Sequence, residues 1–387
     1  MTELFYSVLL YTSVFVSTLY LLLIILYSIG WKKTQTFKVL DAHIFSTTVS
    51  IVIAARNEES TIENCLNHLL NQDFPNHLME IIVMDDCSED KTAEKVRQII
   101  SQHPQKKIQL LCIDKSEINF SSKKKAIVKA IEISTSQLII TTDADCWMNV
   151  NWLKTIVAFY ETTKAKMIVA PVIIPHEEKL FSLTNFQSID FMSLVACGGA
   201  SLYFNKPLMC NGANLIFERI AYNQVQAEMG GNHLVSGDDM FLMLAIKNKF
   251  PNSIKFLKSK GAVVYTHAQA NLSLLMHQRK RWASKGFQYH DAYINFVSLL
   301  VFALHLCMLI TVCISFFRVE ALLLFFGLFL SKIIVDFIFL NQVTSFFGNK
   351  KLLRGFIFAE IANIAFINMI AVLSQTKKYV WKGRRVE

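Results

Sequence analysis

The sequence predicts an α/β fold: a mostly parallel, mixed sheet flanked by helices, with transmembrane helices at the N- and C-terminal ends. Three observations carry that prediction. In the middle of the chain, short β-branched apolar runs alternate with segments of helical apolar spacing. Polar clusters follow the ends of those runs. The apolar residues make up 53% of the 387 residues against 18% charged, and they gather at the two ends of the chain.

Residues 4–29 hold no charged side chain and are long enough to cross a hydrocarbon layer of about 30 Å. A cleaved signal peptide would need a basic start, a shorter apolar stretch and a small-residue cleavage site, so a retained anchor is expected. Lys32, Lys33 and Lys38 follow this segment and only Glu3 precedes it. The positive-inside rule then places everything from Trp31 onward in the cytoplasm, in a multi-pass protein of the cell inner membrane.

The strand and helix signals begin after the anchor. Residues 49–54 (VSIVIA), 81–84 (IIVM), 108–112 and 138–142 read as buried strands. Residues 59–70, 91–100 and 123–133 carry helical spacing between them. A domain over residues 48–260 is expected, then an interfacial amphipathic segment over 264–292. A C-terminal membrane region of two to three spans follows over 294–373, and a basic tail over 374–387. Within that region Lys332 and Asp336 lie one helical turn apart, spaced to pair while facing other helices. Glu360, Asn363 and Asn368 weaken the last span. Four full crossings would put the basic tail outside, whereas its charge argues for inside.

The net charge of +9 lies largely beside apolar segments, and no basic helix or aromatic-basic motif accompanies it. Anionic lipid head groups are therefore the expected partner, not nucleic acid. The eight cysteines form no CxxC pair and no metal-ligand spacing, which reads as free thiols in a reducing compartment.

Three polar clusters share one sheet edge: Arg56-Asn57-Glu58-Glu59, Asp85-Asp86, and Asp143 with Asp145. Each follows a strand's C-terminal end, where open α/β sheets bind ligands. A single cluster could be a helix cap, but three on one edge favour a small-molecule site. Asp143 and Asp145 stand two residues apart, so an extended chain would send both carboxylates to one face. Their repulsion calls for a positive partner, and Mg²⁺ or Mn²⁺ bridging to phosphate suits such oxygens. Lys123, Lys124 and Lys125 open the preceding helix and point to phosphate as well. Further on, Asp238-Asp239 heads a helix, where one carboxylate can cap while the other acts as general base. The stretch from Gln278 to Trp282 lies on a basic amphipathic segment before a span. As an interfacial helix it would place Leu274, Trp282 and Phe287 among head groups.

Together these pieces resemble the membrane-anchored family 2 glycosyltransferases. The resemblance spans roughly residues 48–289, on VSIVIAARNEE (49–59), VMDDCSEDKT (83–92), SKKKAIVKAI (122–131), TTDADC (141–146), CNGANL (210–215), SGDDMFL (236–242) and QRKRW (278–282). A lone DxD is weak evidence; DxD, an acidic pair heading Phe-Leu, and QxxRW before a span form a specific set. The resemblance implies a GT-A (Rossmann-like) fold and inverting transfer from a nucleotide-diphosphate sugar, a UDP-sugar being favoured. Ala54, Glu58, Asp85 and Asp86 would hold the nucleoside and Lys123 would lie near the nucleotide. Asp143 and Asp145 would bind the donor and its Mn²⁺ or Mg²⁺, and Asp239 would be the base. Asp238, Gln278, Arg281 and Trp282 would border the acceptor and diphosphate. Two departures stand out: Ser122 replaces the usual glycine before Lys123, and the acidic pair is Asp-Asp where Glu-Asp is usual. A lipid or glycan acceptor at the membrane surface is the expected partner. A processive polysaccharide synthase of the same family is the alternative, and a non-catalytic membrane protein a more distant one. A metal-dependent phosphotransferase is disfavoured because no Walker A sequence is present.

Overall fold

The structure is a computed structural model that describes residues 2–40, 43–113, 122–231, 237–375, 379–381 and 384–386. A long helix, α1 (Thr2–Lys33), leads the chain. The alternating half follows: β1 (Val49–Ala55), α2 (Ile62–Leu70), β2 (Met79–Asp85), α3 (Thr92–Gln102), β3 (Ile108–Cys112), α4 (Ser122–Ile133) and β4 (Leu138–Asp143). Then come β5 (Trp147–Met148), α5 (Trp152–Thr163), β6 (Met167–Val169), β7 (Val172–Ile173) and α6 (Leu183–Tyr203). After them lie β8 (Leu215–Glu218), α7 (Arg219–Val225), α8 (Asp238–Lys249), β9 (Ile254–Phe256), β10 (Val264–Tyr265) and α9 (Leu272–Ala283). The chain ends with α10 (Ala292–Ser315), α11 (Val319–Phe347), α12 (Phe356–Ser374) and a hairpin of β11 (Tyr379–Trp381) and β12 (Arg384–Val386).

Among the described residues, seven strands form the main sheet in the order β3-β2-β1-β4-β8-β6-β9. The β3-β2-β1-β4 half is parallel throughout, and β8 runs antiparallel to both its neighbours. Because strand side chains alternate, each strand feeds two cores. Ile51, Ile53, Ile81, Val83 and Ile140 pack with α2, α3 and α5 on one face. Val52, Ile82, Met84 and Ile139 face the other side, where the same cluster continues through α6 and α8 into α1, α10, α11 and α12. The sheet domain and the apolar helices thus share one core.

Helix α2 starts three residues later than its spacing suggested, because residues 58–61 form a turn (Ile62 N donates to Glu58 O at 2.9 Å). Strand β10 pairs with β5 and β7, so sheet structure continues beyond the boundary expected at residue 260. Among the described residues four helices are long and apolar enough to cross a membrane: α1, α10, α11, and α12 together with the turn before it. Lys332 and Asp336 do pair, Nζ to Oδ2 at 2.6 Å, facing neighbouring helices.

Two contacts tie α1 to the sheet domain and α6. A Cβ on Gly30 would lie 2.6 Å from Ala200 O, so α1 and α6 cross with backbones nearly touching. At its C-terminal end, buried Lys258 donates to Trp31 O at 2.5 Å and Thr34 O at 3.2 Å and lies 4.5 Å from the Trp31 ring centroid. Those carbonyls have no donor in their own helix. Lys258→Met leaves them buried and unsatisfied, a cost of about 1–3 kcal/mol. A lower denaturation midpoint in detergent is expected, and an unchanged one would show that the clamp contributes nothing.

Candidate active site

The strand order places β1 between β2 and β4, which makes a switch point at the C-terminal ends of β1 and β4. Register brings Ala54 of β1 directly beside Asp143, the last residue of β4. The expected extended geometry from Asp143 to Asp145 is not what the structure holds. The chain turns after Asp143, closed by Cys146 N donating to Asp143 O at 3.1 Å. This turn, not strand alternation, brings ligand atoms of Asp143, Asp145 and Cys146 within 4.8 Å of one another. Burial pushes the Cys146 thiol well above the usual range, with the charges of Asp143 and Asp145 adding to it, so it stays a neutral thiol. Two of the three donors are carboxylate oxygens, which fit a hard divalent cation with further phosphate oxygens.

The loops after β1 and β2 are sewn together. Arg56 Nη1 donates to Asp86 O at 2.7 Å, Glu58 N to Thr92 Oγ1 at 2.8 Å, and Lys91 N to Glu59 Oε2 at 3.1 Å. Glu59 is thus a structural acceptor, while Glu58 and Asp86 line the cavity. Asp85 and Asp86 part company. Asp85 is buried and accepts from Ser88 N at 3.3 Å, whereas Asp86 lines that cavity.

Opposite lies the start of α8. Gly237 caps it at φ +100, and a Cβ there would also press on Lys285 and Tyr289 at 3.2 and 3.3 Å. Neither carboxylate of the acidic pair is the cap. Asp239 accepts from Gly212 N at 3.1 Å and Met240 N at 2.9 Å, and Gly212 O accepts from Thr141 Oγ1 at 2.6 Å. Asp238 lies 3.5 Å from Lys124 Nζ. The Lys123 side chain lies outside the described residues. Asn214, in the same sequence motif as Gly212, is fully buried and ties Trp152, Pro171 and Ala262 together. It is structural.

The helix α9 carries Gln278, Arg281 and Trp282 on its cavity side. The Trp282 ring lies 6.0 Å from the Phe191 ring centroid and 4.3 Å from the Arg279 guanidinium. Leu274 is exposed, and Phe287's side chain lies outside the described residues. Arg279, to which the sequence reading gave no role, is buried and donates to Asp190 Oδ2 at 2.5 Å. Lys285 was missed too, although it follows Arg281 by one helical turn. The structure buries it beside Arg281, Asp238 and Asp239.

One cavity of about 1310 Å³ gathers these groups. Ala54, Glu58, Asp86, Asp143 and Asp145 border it on the strand side. Asp238, Asp239, Gln278, Arg281 and Trp282 border it on the helix side. Two carboxylate pairs on opposite sides of one cavity, with Arg281 and Lys285 beside the second, can hold an anionic leaving group on one side and accept a proton on the other.

A mixed sheet with a carboxylate turn at its switch point and an acidic helix start across the cavity is the GT-A architecture of glycosyltransferases. Residues 50–212 match the family described as Glycosyl transferase family 2, and residues 138–347, more than half the chain, match Glycosyl transferase family group 2. The chain belongs to the family 2 glycosyltransferases. Its fold is similar to that of the mannosyltransferase PcManGT from Pyrobaculum calidifontis, solved with GDP-Man and Mn²⁺ (TM-score 0.62, 14% identity, 92% of this chain and 99% of that one). It is 26% identical over 250 residues to the beta-monoglucosyldiacylglycerol synthase of Trichormus variabilis, covering 62% of this chain and 49% of that protein. Against glycosyltransferase AglE of Haloferax volcanii it is 25% identical over 200 residues, 50% of this chain and 59% of that one. The chain spans about half the length of the last two of these relatives.

Lys285 gives the site a pH dependence. Burial holds its ammonium down to about 8, the Arg281 charge acts in the same direction, and Asp239 and Asp238 oppose both. A lowered lysine is charged below that pH and loses its proton as pH rises through it. The profile of kcat/KM for the donor is expected to fall above about pH 8. Lys285→Arg keeps the charge and should move that limb upward; an unmoved limb would assign it to another group.

Proposed function

We propose that this chain transfers a sugar from a nucleotide-diphosphate sugar, a UDP-sugar in the favoured reading, to a hydroxyl of a membrane lipid or membrane-attached glycan. The transfer takes place at the cytoplasmic face, with inversion at the anomeric carbon. The observation that carries this reading is the single cavity joining the Asp143–Asp145 turn and Asp239 to a wall of apolar helices. In this reading residues 4–29 anchor the chain, residues 48–260 hold the catalytic domain, residues 264–292 border the acceptor, and residues 294–373 cross a cell inner membrane.

Ala54, Glu58, Asp85 and Asp86 hold the nucleoside at the switch point. Asp143 and Asp145 hold Mn²⁺ or Mg²⁺, which when bound neutralises charge on the diphosphate. Arg281 and, below about pH 8, Lys285 face the same leaving group with positive charge. The acceptor oxygen attacks the anomeric carbon from the side opposite the diphosphate and forms the new glycosidic bond. The anomeric C–O bond to the diphosphate breaks so that the nucleoside diphosphate leaves with the bonding pair, and the acceptor proton passes to Asp239. The two backbone donors on Asp239 fix the direction in which its carboxylate meets that proton.

Asp239→Asn keeps the size of the side chain and removes the base. Transfer is expected to fall by about 10²–10⁴-fold, while calorimetry finds nucleotide binding nearly unchanged. Near-normal turnover would sink the base assignment. Chelation by EDTA, or Asp143→Asn with Asp145→Asn, should weaken donor binding measured with a panel of UDP- and GDP-sugars. Binding indifferent to both treatments would overturn the metal role.

A further inference from the structure

The cavity does not end at the acidic pair. It continues between α1, α6, α10, α11 and α12, and its deepest wall carries a polar cluster inside the apolar bundle. Lys332 pairs with Asp336 at 2.6 Å and with Glu360, and Tyr20 OH donates to both Asp336 oxygens at 2.9 and 3.0 Å. All four side chains are buried and line the cavity. Buried ion clusters are weak contributors to stability, and intramembrane charges commonly mark a ligand path.

Two further groups show what the ligand must offer. His305 is 2% exposed, and its Nδ1 lies 2.7 Å from Val301 O. A carbonyl only accepts, so the proton of the neutral ring sits on Nδ1 and Nε2 is left as an acceptor. That Nε2 has no hydrogen-bond partner among the described residues, and neither does Oδ1 of buried Asn363. Both residues line the cavity. His305 Nε2 is an acceptor that only a donor completes, and the Asn363 amide can meet a donor through Oδ1. The neighbouring cluster counts two carboxylates against one ammonium. A phosphate group would bring only acceptors and negative charge to this wall.

We propose that this half of the cavity binds the acceptor, and that the acceptor is an uncharged lipid. Its backbone carries hydroxyl or amide N–H donors below the hydroxyl that receives the sugar. The donors meet His305 Nε2 and Asn363 Oδ1, the hydrocarbon chains lie along the apolar helix faces, and the carboxylate excess turns away phosphate-bearing lipid carriers. This inference rests on the glycosyl transfer proposed above and adds the acceptor's chemical class.

The test uses the full chain in phosphatidylcholine nanodiscs, with tritiated dioctanoylglycerol, a short-chain ceramide and farnesyl phosphate as probes. Saturable binding of a neutral lipid, at least about tenfold tighter than farnesyl phosphate, is expected. Binding of neither neutral lipid, or tighter binding of farnesyl phosphate, overturns the proposal. His305→Leu combined with Asn363→Leu removes both acceptors. These substitutions take away buried unsatisfied groups, so the variant is expected to fold. It should lose about tenfold in neutral-lipid affinity and keep its nucleotide affinity. Unchanged lipid affinity would mean that water alone meets these atoms, and the proposal would fail. Nucleotide-sugar binding and acceptor-independent hydrolysis are read separately, so a failure of the sugar-transfer reading shows there and not in the lipid arm.

Discussion

The hydrogen bond from Gly212 N to Asp239 fixes the position of everything else in the site. It joins the start of α8 to the turn before β8, and Thr141 holds the same turn from β4, two residues before Asp143. Asp143 and Asp239, on opposite sides of the cavity, are thus linked through Thr142, Thr141 and Gly212. The link depends on register: Thr141 lies opposite Leu215 in the antiparallel β4–β8 pair. A slip of one residue would turn Thr141 away from Gly212 and bury its hydroxyl against apolar neighbours. The packing of both sheet faces, which fixes register, therefore also fixes the distance between donor side and base.

The strands were legible because their residues are apolar and β-branched over short runs, a pattern that only a doubly covered sheet can bury. Positions 108–112 match β3 at both ends. The pairing of Lys332 with Asp336 was legible for an equally local reason, since helical periodicity alone brings them together. Other features lie beyond local pattern. The turn after Asp143 is closed by a backbone hydrogen bond that leaves no mark on side-chain type. Asp85 and Asp86 are identical in sequence terms and differ only in which way β2 points them at its end. The partnership of Arg279 with Asp190 joins α9 to α6 across 89 residues, and α6 itself went unread because its buried face is spread around the helix. The QxxRW pattern drew attention to Arg281 and away from Arg279. Long-range packing made Arg279 the buried one.

The apolar helices belong to the site as much as the sheet does. Gly30 lets α1 lie against α6, Lys258 holds the last carbonyls of α1, and α6 brings Asp190 under α9. A helix that only anchored the chain would need none of these contacts with the sheet domain. Here the same helices form the cavity wall, so the depth at which the chain sits and the geometry of the cavity are set by one group of contacts.

Charge differs along that cavity. Where α8 begins, Arg281 and Lys285 stand close to Asp238 and Asp239, across from Glu58, Asp86, Asp143 and Asp145. At the end between the helices, Lys332 faces two carboxylates, and the remaining buried polar atoms of His305 and Asn363 are acceptors. Electrostatic interactions are strong in such buried surroundings, and a molecule with an anionic end and an uncharged, donor-bearing end has one favourable orientation between them. Two molecules that meet in the middle, one anionic and one neutral, would be sorted to opposite ends by the same difference. Their junction would fall where the first turn of α8 enters the cavity, beside Asp239.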